Sequence, residues 1–340
     1  MTRAALVLTR AQVLAFRRSV QALDERLPAG AASLRRAAWA GLQDSMPRAA
    51  LLSIHARVNG TRPSAWEHGS LVQVWGPRFS AYVILKRDLP VFTLGRLLED
   101  AEALRRATDL AARLDALLAG RKVRHEDAAR SLRLPHHNYL RYAAPSGRVL
   151  IRWDGARQPT VWTIPAPRVD PREAGLELAR RYLHVFGPAR PTSFAQWAGI
   201  SPTSGSVAFD ALARSLTPVR TPIGDAWILT SDEPGFRVRA RARAPARLLP
   251  SGDTYFLLQG ADRELLVPDA KRRSALWTSR VWPGALLVGG EVVGTWRRSA
   301  AVVAIETWRP LSAAERRAVE EEAASLPLAD VQRRIGVRWG

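Results

Sequence analysis

One supersecondary unit, three helices followed by a β-hairpin, recurs along this chain and limits what it can fold into. The clearest copy has helical patterns at 93–118, 125–132 and 135–142 and alternating strands at 148–153 and 160–164. Gly120 favours termination of the first helix, and Asp154-Gly155 is a typical hairpin turn. Helix, helix, helix and hairpin is the order of a winged helix, and its repetition predicts a tandem array.

Two less regular copies flank this one. In the first copy, Thr9 can cap a helix that runs to about Leu23, and a hairpin is expected at 71–85. The third copy lies between Pro171 and Glu233. After residue 234 the pattern changes to short strands, and the Ser312-Ala313-Ala314-Glu315 capping box opens a last helix.

We therefore predict an α+β fold of three tandem winged-helix modules followed by a small β-rich, barrel-like domain. The predicted boundaries are 1–92, 93–168 and 169–233 for the winged helices, 234–310 for the β-rich domain, and 311–340 for a C-terminal helix and tail.

The net charge of the chain indicates the kind of partner that it binds. The 340 residues carry a formal net charge of +20, and because only three of the 51 basic residues are lysines, 48 are arginines. Such an excess favours a polyanion, most simply double-stranded DNA, although codon usage can also favour arginine. We expect a monomer. An alternating basic segment at 237–247 fits either a phosphate backbone or plain solvent exposure.

Several chemical classes are excluded. The chain has no cysteine, so it has neither disulfides nor a thiolate zinc site, and its six histidines lack metal-ligand spacing. No metal and no cofactor are expected. The apolar run near the N-terminus is too short for a signal peptide, and no segment has membrane-spanning length. A cytoplasmic, nucleoid-associated protein without a membrane partner is predicted.

The most unusual stretch is a corner at 41–58, between two helices. Gly41 and Pro47 prevent the preceding helix from continuing. In an extended segment residues two apart point the same way, so Gln43 and Ser45 are expected to face one space, with Asp44 turned from it.

The corner also has a purely structural interpretation. Asp44 or Ser45 can accept a hydrogen bond from an N–H group of the helix expected to open at Pro47. A capping Asp44 replaced by Asn would keep an acceptor, and stability and activity would then change little. A catalytic Asp44 replaced by Asn would instead lose rate by roughly a hundredfold or more. Gln43 is required by neither element. The aromatic Trp197 is expected in the core, because it lies at helical spacing from Phe194.

The corner resembles the AlkZ/YcaQ-like family of winged-helix DNA glycosylases, which carries a Gly-Leu-Gln-x-Gln corner followed by Pro. The matching strings are Gly41-Leu42-Gln43, Pro47-Arg48-Ala49-Ala50 and Arg57-Val58. Ser45 stands at the second family glutamine, and Asp44 lies one position before the acid of a Gln-x-Asp branch. Further similarity is found in Phe186–Gly199, Leu248-Leu249-Pro250 with Asp253, and Val292–Arg297.

The resemblance implies a monofunctional glycosylase that hydrolyses the N-glycosidic bond of alkylated, N7-type purines with a positioned water. The candidate catalytic residues are Gln43, Asp44 and Ser45. The candidate DNA-binding residues are Arg48, Arg57, Arg78, Arg141, Arg148, Arg152, Arg157 and Arg297. Arg141 and Arg148 could instead be simply solvated. The alternative function is a non-catalytic DNA-binding regulator or lesion sensor, whereas a protein-interaction scaffold does not call for this charge.

Overall fold

A computed structural model describes residues 6–46, 48–155, 158–238, 244–328 and 335–340. The helices are α1 Arg10–Val20, α2 Ala31–Ala37, α3 Ala49–Arg57, α4 Leu89–Phe92, α5 Ala101–Leu118, α6 His125–Ser131, α7 Pro171–Phe186, α8 Pro191–Ala198, α9 Pro202–Ala211, α10 Glu233–Phe236, α11 Asp262–Leu266, α12 Ala270–Leu276 and α13 Ala313–Ala324. The strands are β1 Leu6–Val7, β2 Leu42–Gln43, β3 Leu71–Trp75, β4 Ala81–Leu85, β5 Val123–Arg124, β6 Val149–Arg152, β7 Thr160–Thr163, β8 Leu216–Thr221, β9 Gly224–Leu229, β10 Arg247–Leu249, β11 Gly284–Val288, β12 Glu291–Ser299, β13 Val302–Thr307 and β14 Gly336–Trp339. The fold is α+β, as predicted.

Local capping signals place the first and last helices. Thr9 Oγ1 accepts from the Gln12 backbone N–H, and Gln12 Oε1 accepts from the Thr9 backbone N–H, which closes a reciprocal capping box at α1. Ser312 and Glu315 form the same arrangement at α13. Both caps were predicted and both are confirmed.

The first two hairpins share one sheet. Its strand order is β2-β4-β3-β6-β7-β5, and the pairing of Gln73 on β3 with Ile151 on β6 joins the two hairpins. Strand β2 pairs antiparallel with β4 and forms an edge of this sheet. The corner is therefore held between a sheet edge and helix α3.

The second copy of the unit has the predicted order, with different boundaries. A 3-10 helix, Leu94–Leu97, precedes α5, and Asp100 caps α5 by accepting from Ala103 N–H. Glu99 has a left-handed φ of 59°, which interrupts the helix expected to run unbroken from 93. The third helical element is a 3-10 helix, His137–Ser146.

The third copy comprises α7, α8, α9 and the β8–β9 hairpin. Helix α9 starts at Pro202 rather than near Ser206, because the Ser201 side chain accepts from Ser204 N–H. Strand β1 pairs in parallel with β8. The first strand of the chain thus lies beside the third hairpin. The predicted module boundaries remain a prediction.

The expected barrel is not found in the described residues. Strands β10 to β14 form an open sheet in chain order, in which β10 pairs with β11 and β14 with β13. The edge strands β10 and β14 do not pair with each other, and helix α13 packs against both. Strand patterns in the sequence indicate that a sheet forms, but they do not show whether its two edges pair.

The largest apolar cluster centres on α7 and α8. Aromatic rings of Tyr182, Phe186, Phe194 and Trp197 lie 4.9–6.5 Å apart between centroids. Trp197 is buried, as predicted. Among the described helices, none has the length and apolar character needed to cross a bilayer.

Candidate active site

Gln43 lies at the end of strand β2. It pairs with Tyr82 on β4, so the two side chains project from the same face of the sheet. Its Oε1 atom is buried and has no hydrogen-bond partner among the described residues. A Cβ at Gly252, which has a φ of +75°, would lie 3.1 Å from Gln43 Nε2. The close approach of the Gly252 backbone thus packs the amide against the C-terminal part of the chain.

Asp44 faces the interior. It is 2% exposed, and its Oδ1 accepts from Ala50 N–H at 2.9 Å while Oδ2 accepts from Gln73 Nε2 at 2.6 Å. The predicted capping role is confirmed for Asp44. The helix starts at Ala49 rather than Pro47, after Arg48 in a left-handed conformation with φ of 65°. Asp44 therefore ties the helix start to strand β3 of the first hairpin.

The orientation of the Gln73 amide is fixed from the second hairpin. Its Oε1 accepts from Trp153 N–H at 2.8 Å, and its Nε2 also donates to Trp153 O at 3.2 Å. The Nε2 group must consequently face Asp44. An Asn at position 44 would oppose one NH₂ group to another, so from this geometry we predict that Asp44→Asn lowers stability rather than leaving it unchanged. The sequence signal that could have identified Gln73 is the presence of a glutamine within the otherwise apolar string Leu71–Trp75.

Burial changes the acidity of Asp44. It raises the pKa of the carboxyl from 3.8 to about 7, against the opposing effects of the hydrogen bonds from Ala50 and Gln73 and of the Arg48 and Arg152 charges. With both oxygens accepting from fixed donors, Asp44 acts as a brace for the corner.

Ser45 lines a cavity of about 600 Å³ between the two hairpins. Its lining residues are Ser45, Trp75, Arg78, Phe79, Ser80, Ala81, Arg141, Ile151, Trp153, Gly155, Gln158 and Pro159. Gln43 is not among them. The two side chains do not share this space, because β2 ends at Gln43 and the two-residue alternation ends with it.

Two predicted DNA-binding arginines, Arg78 and Arg141, line the same cavity, and no carboxylate is among its described lining residues. The Nε atoms of both are buried without a hydrogen-bond partner in the described structure, and burial lowers the pKa of Arg141. Positive groups without acidic partners make this cavity suited to an anionic ligand.

The hairpin turn at the cavity is held in an uncommon conformation. Arg78 and Phe79 have φ values of 52° and 56°, in the left-handed region that residues other than glycine rarely adopt. Gly199 permits the approach of this turn, since a Cβ there would lie 3.0 Å from Arg78 Cα. Strained turns of this kind recur at functional sites.

Arg48 and Arg152 meet at one aromatic ring. Their Cζ atoms lie 4.6 Å and 4.0 Å from the ring centroid of Trp66, and Arg152 also pairs with Glu67. The interaction joins the corner to the second hairpin. Trp66 was not singled out by the sequence reasoning.

The remaining predicted arginines are dispersed. Arg148 is half-buried and pairs with Asp115 at 2.7 Å, and the exposed Arg297 donates to Val281 O. Arg157 lies outside the described residues. The described ranges contain no cluster of three or more acidic or histidine side chains placed to hold a metal ion.

Arg57 is a correction to the predicted DNA-binding set. It is 2% exposed, and its guanidinium donates to both oxygens of buried Asp253 at 2.7 and 2.8 Å. Ser53 Oγ also donates to Asp253 Oδ2. In this position Arg57 is not available to a phosphate, and it fastens α3 to the C-terminal part of the chain.

Comparisons with known proteins show the fold and the family of the chain. A curated relative, the interstrand DNA cross-link repair glycosylase of Streptomyces sahachiroi, is 29% identical over 174 residues, which is 50% of this chain and 46% of that protein. The match thus spans about half the length of the relative. The solved structure of S. sahachiroi DNA glycosylase AlkZ has a TM-score of 0.80 and 20% identity, covers 98% of this chain and 100% of the other, and shows that the fold is the same. The family model described as DNA glycosylase AlkZ-like matches residues 37–327. The chain therefore belongs to the AlkZ-like DNA glycosylase family.

Proposed function

We propose that this protein is a DNA glycosylase that releases alkylated bases, in particular N7-alkylated purines, from double-stranded DNA. The observation that carries the proposal is Gln43 Oε1, a buried acceptor on the edge strand of the corner that has no hydrogen-bond partner among the described residues. Buried polar atoms usually have a partner, and an exception is a candidate for function. A water molecule that donates to this oxygen would be oriented toward the sugar of the damaged nucleotide.

The chemistry requires only modest catalytic power. A purine alkylated at N7 is cationic, so when the bond to sugar C1′ breaks, the electron pair that leaves with the base neutralises it. The water oxygen then forms the new bond to C1′, and its proton passes to solvent. An amide carbonyl can orient that water, whereas Asp44 is already held by Ala50 and Gln73.

The cavity beside the corner supports recognition of an extruded base. Glycosylases take their target base out of the helix into a pocket. The volume of about 600 Å³ falls within the roughly 300–1,000 Å³ of many ligand sites. Ser45 would contact the base there, and Arg78 and Arg141 the flanking phosphates. Because a relative is named for interstrand cross-link repair, cross-linked bases are included among the candidate substrates.

The three helix-and-hairpin units are taken as winged helices that position this site on duplex DNA. In the second unit, β5 lies between α5 and α6 in the chain, and the 3-10 helix His137–Ser146 precedes the β6–β7 hairpin. In the sheet, β7 lies between β6 and β5. That order supports the assignment. Arg48 and Arg152, joined at Trp66, lie where the first and second units meet.

Replacement of Gln43 by Ala tests the proposal. Purified variants are incubated with a duplex containing one N7-methylguanine, and base release is measured by alkaline cleavage and strand analysis. Gln43→Ala should slow release by roughly a hundredfold or more, while DNA affinity stays within about twofold, since the lost group acts in the transition state. The exposed Gln196→Ala on α8 is the matched control.

The alternative is a non-catalytic DNA-binding protein, and it is favoured by one observation, the complete engagement of the only carboxylate at the corner. Under this alternative the wild-type protein binds alkylated duplexes and releases no base from N7-methylguanine or from cross-linked substrates. That result would remove the enzymatic proposal.

A further inference from the structure

A second cavity lies next to the one lined by Ser45. It measures about 720 Å³, and its lining includes Phe79, Arg96, Tyr139, Tyr142 and Ile200. Phe79 lines both cavities. The strained hairpin turn is therefore the wall between the candidate base pocket and this groove.

Three aromatic side chains, Phe79, Tyr139 and Tyr142, form what we call the aromatic ridge of this groove. The rings of Phe79 and Tyr142 lie 5.0 Å apart at 74°, and those of Tyr139 and Tyr142 lie 5.6 Å apart at 66°. Tyr139 and Tyr142 are 47% and 53% exposed, and Trp227 is the only other aromatic residue among the large exposed hydrophobic side chains of the described structure. Large exposed rings grouped in one place mark a binding surface.

The ridge is held from below. The Cζ atom of Arg96 lies 4.2 Å from the ring centroid of Phe79, and Arg96 is buried and donates to Ala198 O. The positive φ of Phe79 fixes its position in the turn. The tyrosines belong to the 3-10 helix His137–Ser146, which also carries Arg141 into the neighbouring cavity. One short element therefore supplies a cation to one cavity and two rings to the other.

The charge and chemistry of the groove identify the occupant. The walls carry the basic residues Arg106 and Arg113 but also Asp100 and Asp109, so the groove is not a simple phosphate site. Flat aromatic faces instead match nucleobases, which stack on them regardless of sequence. With a net charge of +20 on the chain, DNA is the source of such bases.

We propose that the aromatic ridge stacks against DNA bases left unpaired next to an extruded nucleotide. The inference rests on the proposed DNA-binding function, and it does not depend on catalysis. A nucleotide that enters the cavity lined by Ser45 passes beside Phe79, and its neighbour in the strand reaches the other side of the same turn. Stacking there compensates the stacking lost within the helix when the base leaves it.

Binding measurements with three fluorescently labelled DNAs test the ridge. The DNAs are a fully paired duplex, the same duplex with one tetrahydrofuran abasic site opposite an unpaired base, and the single strand. The double variant Tyr139→Ala, Tyr142→Ala should weaken binding of the abasic duplex and the single strand by about tenfold or more. Binding of the fully paired duplex should stay within about twofold.

Two control proteins separate stacking from other effects. The double variant Tyr139→Phe, Tyr142→Phe keeps the rings and should bind as the wild type does, and Trp227→Ala removes an exposed ring from β9 and should change nothing. Circular dichroism and thermal unfolding verify that each variant is folded. Equal losses on paired and abasic duplexes, or a loss in the Phe variant as large as in the Ala variant, would overturn the proposal.

The outcome is also distinguishable from that of the glycosylase proposal. If the wild type releases no base but the ridge variants lose discrimination for unpaired DNA, the ridge stands and the enzymatic activity falls. If base release depends on Gln43 and the ridge variants bind all three DNAs like the wild type, the ridge falls and the enzyme stands.

Discussion

Replacement of Asp44 by Asn should change how the stability of the protein depends on pH. The wild-type carboxyl has its pKa raised from 3.8 to about 7 by burial. Between these values the unfolded chain has lost the proton while the folded protein keeps it, so the contribution of this proton to stability falls as pH rises. This contribution to stability is present in full below about pH 3.8 and is lost above about pH 7.

The magnitude follows from the shift. Each pH unit within the window changes the free energy of unfolding by about 1.4 kcal/mol, so the contribution falls by roughly 3 kcal/mol between about pH 5 and pH 8. Asn cannot titrate and loses this dependence. It also adds a cost of about 1–3 kcal/mol that does not vary with pH, because its NH₂ group faces Gln73 Nε2.

Urea unfolding at four pH values from about 5 to 8, at constant ionic strength, measures the difference between wild type and variant. The stability advantage of the wild type should be greatest at the acidic end and narrow as pH rises. The exposed Asp210→Asn on α9 serves as the control for general charge effects. A stability difference that is constant over this range, or that widens with pH, would refute the assignment of a buried, titrating brace.

Two further predictions follow from the arginines. Asp253→Asn leaves Arg57 buried without its full ion pair and should destabilise the protein by about 3–5 kcal/mol, measured by urea unfolding. The control Asp225→Asn, in an exposed ion pair, should have only a small effect, and equal effects of the two substitutions would contradict the buried pair. Arg78→Ala and Arg141→Ala should each lower the slope of log affinity for DNA against log salt concentration by about one. The exposed Arg220→Ala is the control, and an unchanged slope in the two cavity variants would exclude phosphate contact.

Features that depend on a few neighbouring residues could be predicted from the sequence. The capping boxes at Thr9 and Ser312 and the capping role at Asp44 all depend on partners within six residues. Helical periodicity also placed Trp197 in the core. In each case the interaction that forms the feature is visible in the local spacing.

Features that depend on distant partners could not be predicted. Arg57 was assigned to DNA because an arginine in sequence shows its charge but not its burial, and its partner Asp253 lies 196 positions away. The Gln73 amide is fixed by Trp153, 80 positions away. The contact between α13 and β10 likewise joins segments that are distant in the sequence. The pairing of β3 with β6 also joins residues that are distant in the sequence, and it could not be predicted for the same reason.

The continuous sheet made by the first two hairpins has a consequence for the evolution of the repeat. A chain cut between these units would expose the backbone of β3 along its paired edge and remove the Trp153 groups that hold Gln73. Neither unit could then be duplicated, deleted or exchanged by recombination as a free cassette without damage to the other. Substitutions on β3 should therefore be accompanied by compensating substitutions on β6, even though the helices around these strands repeat.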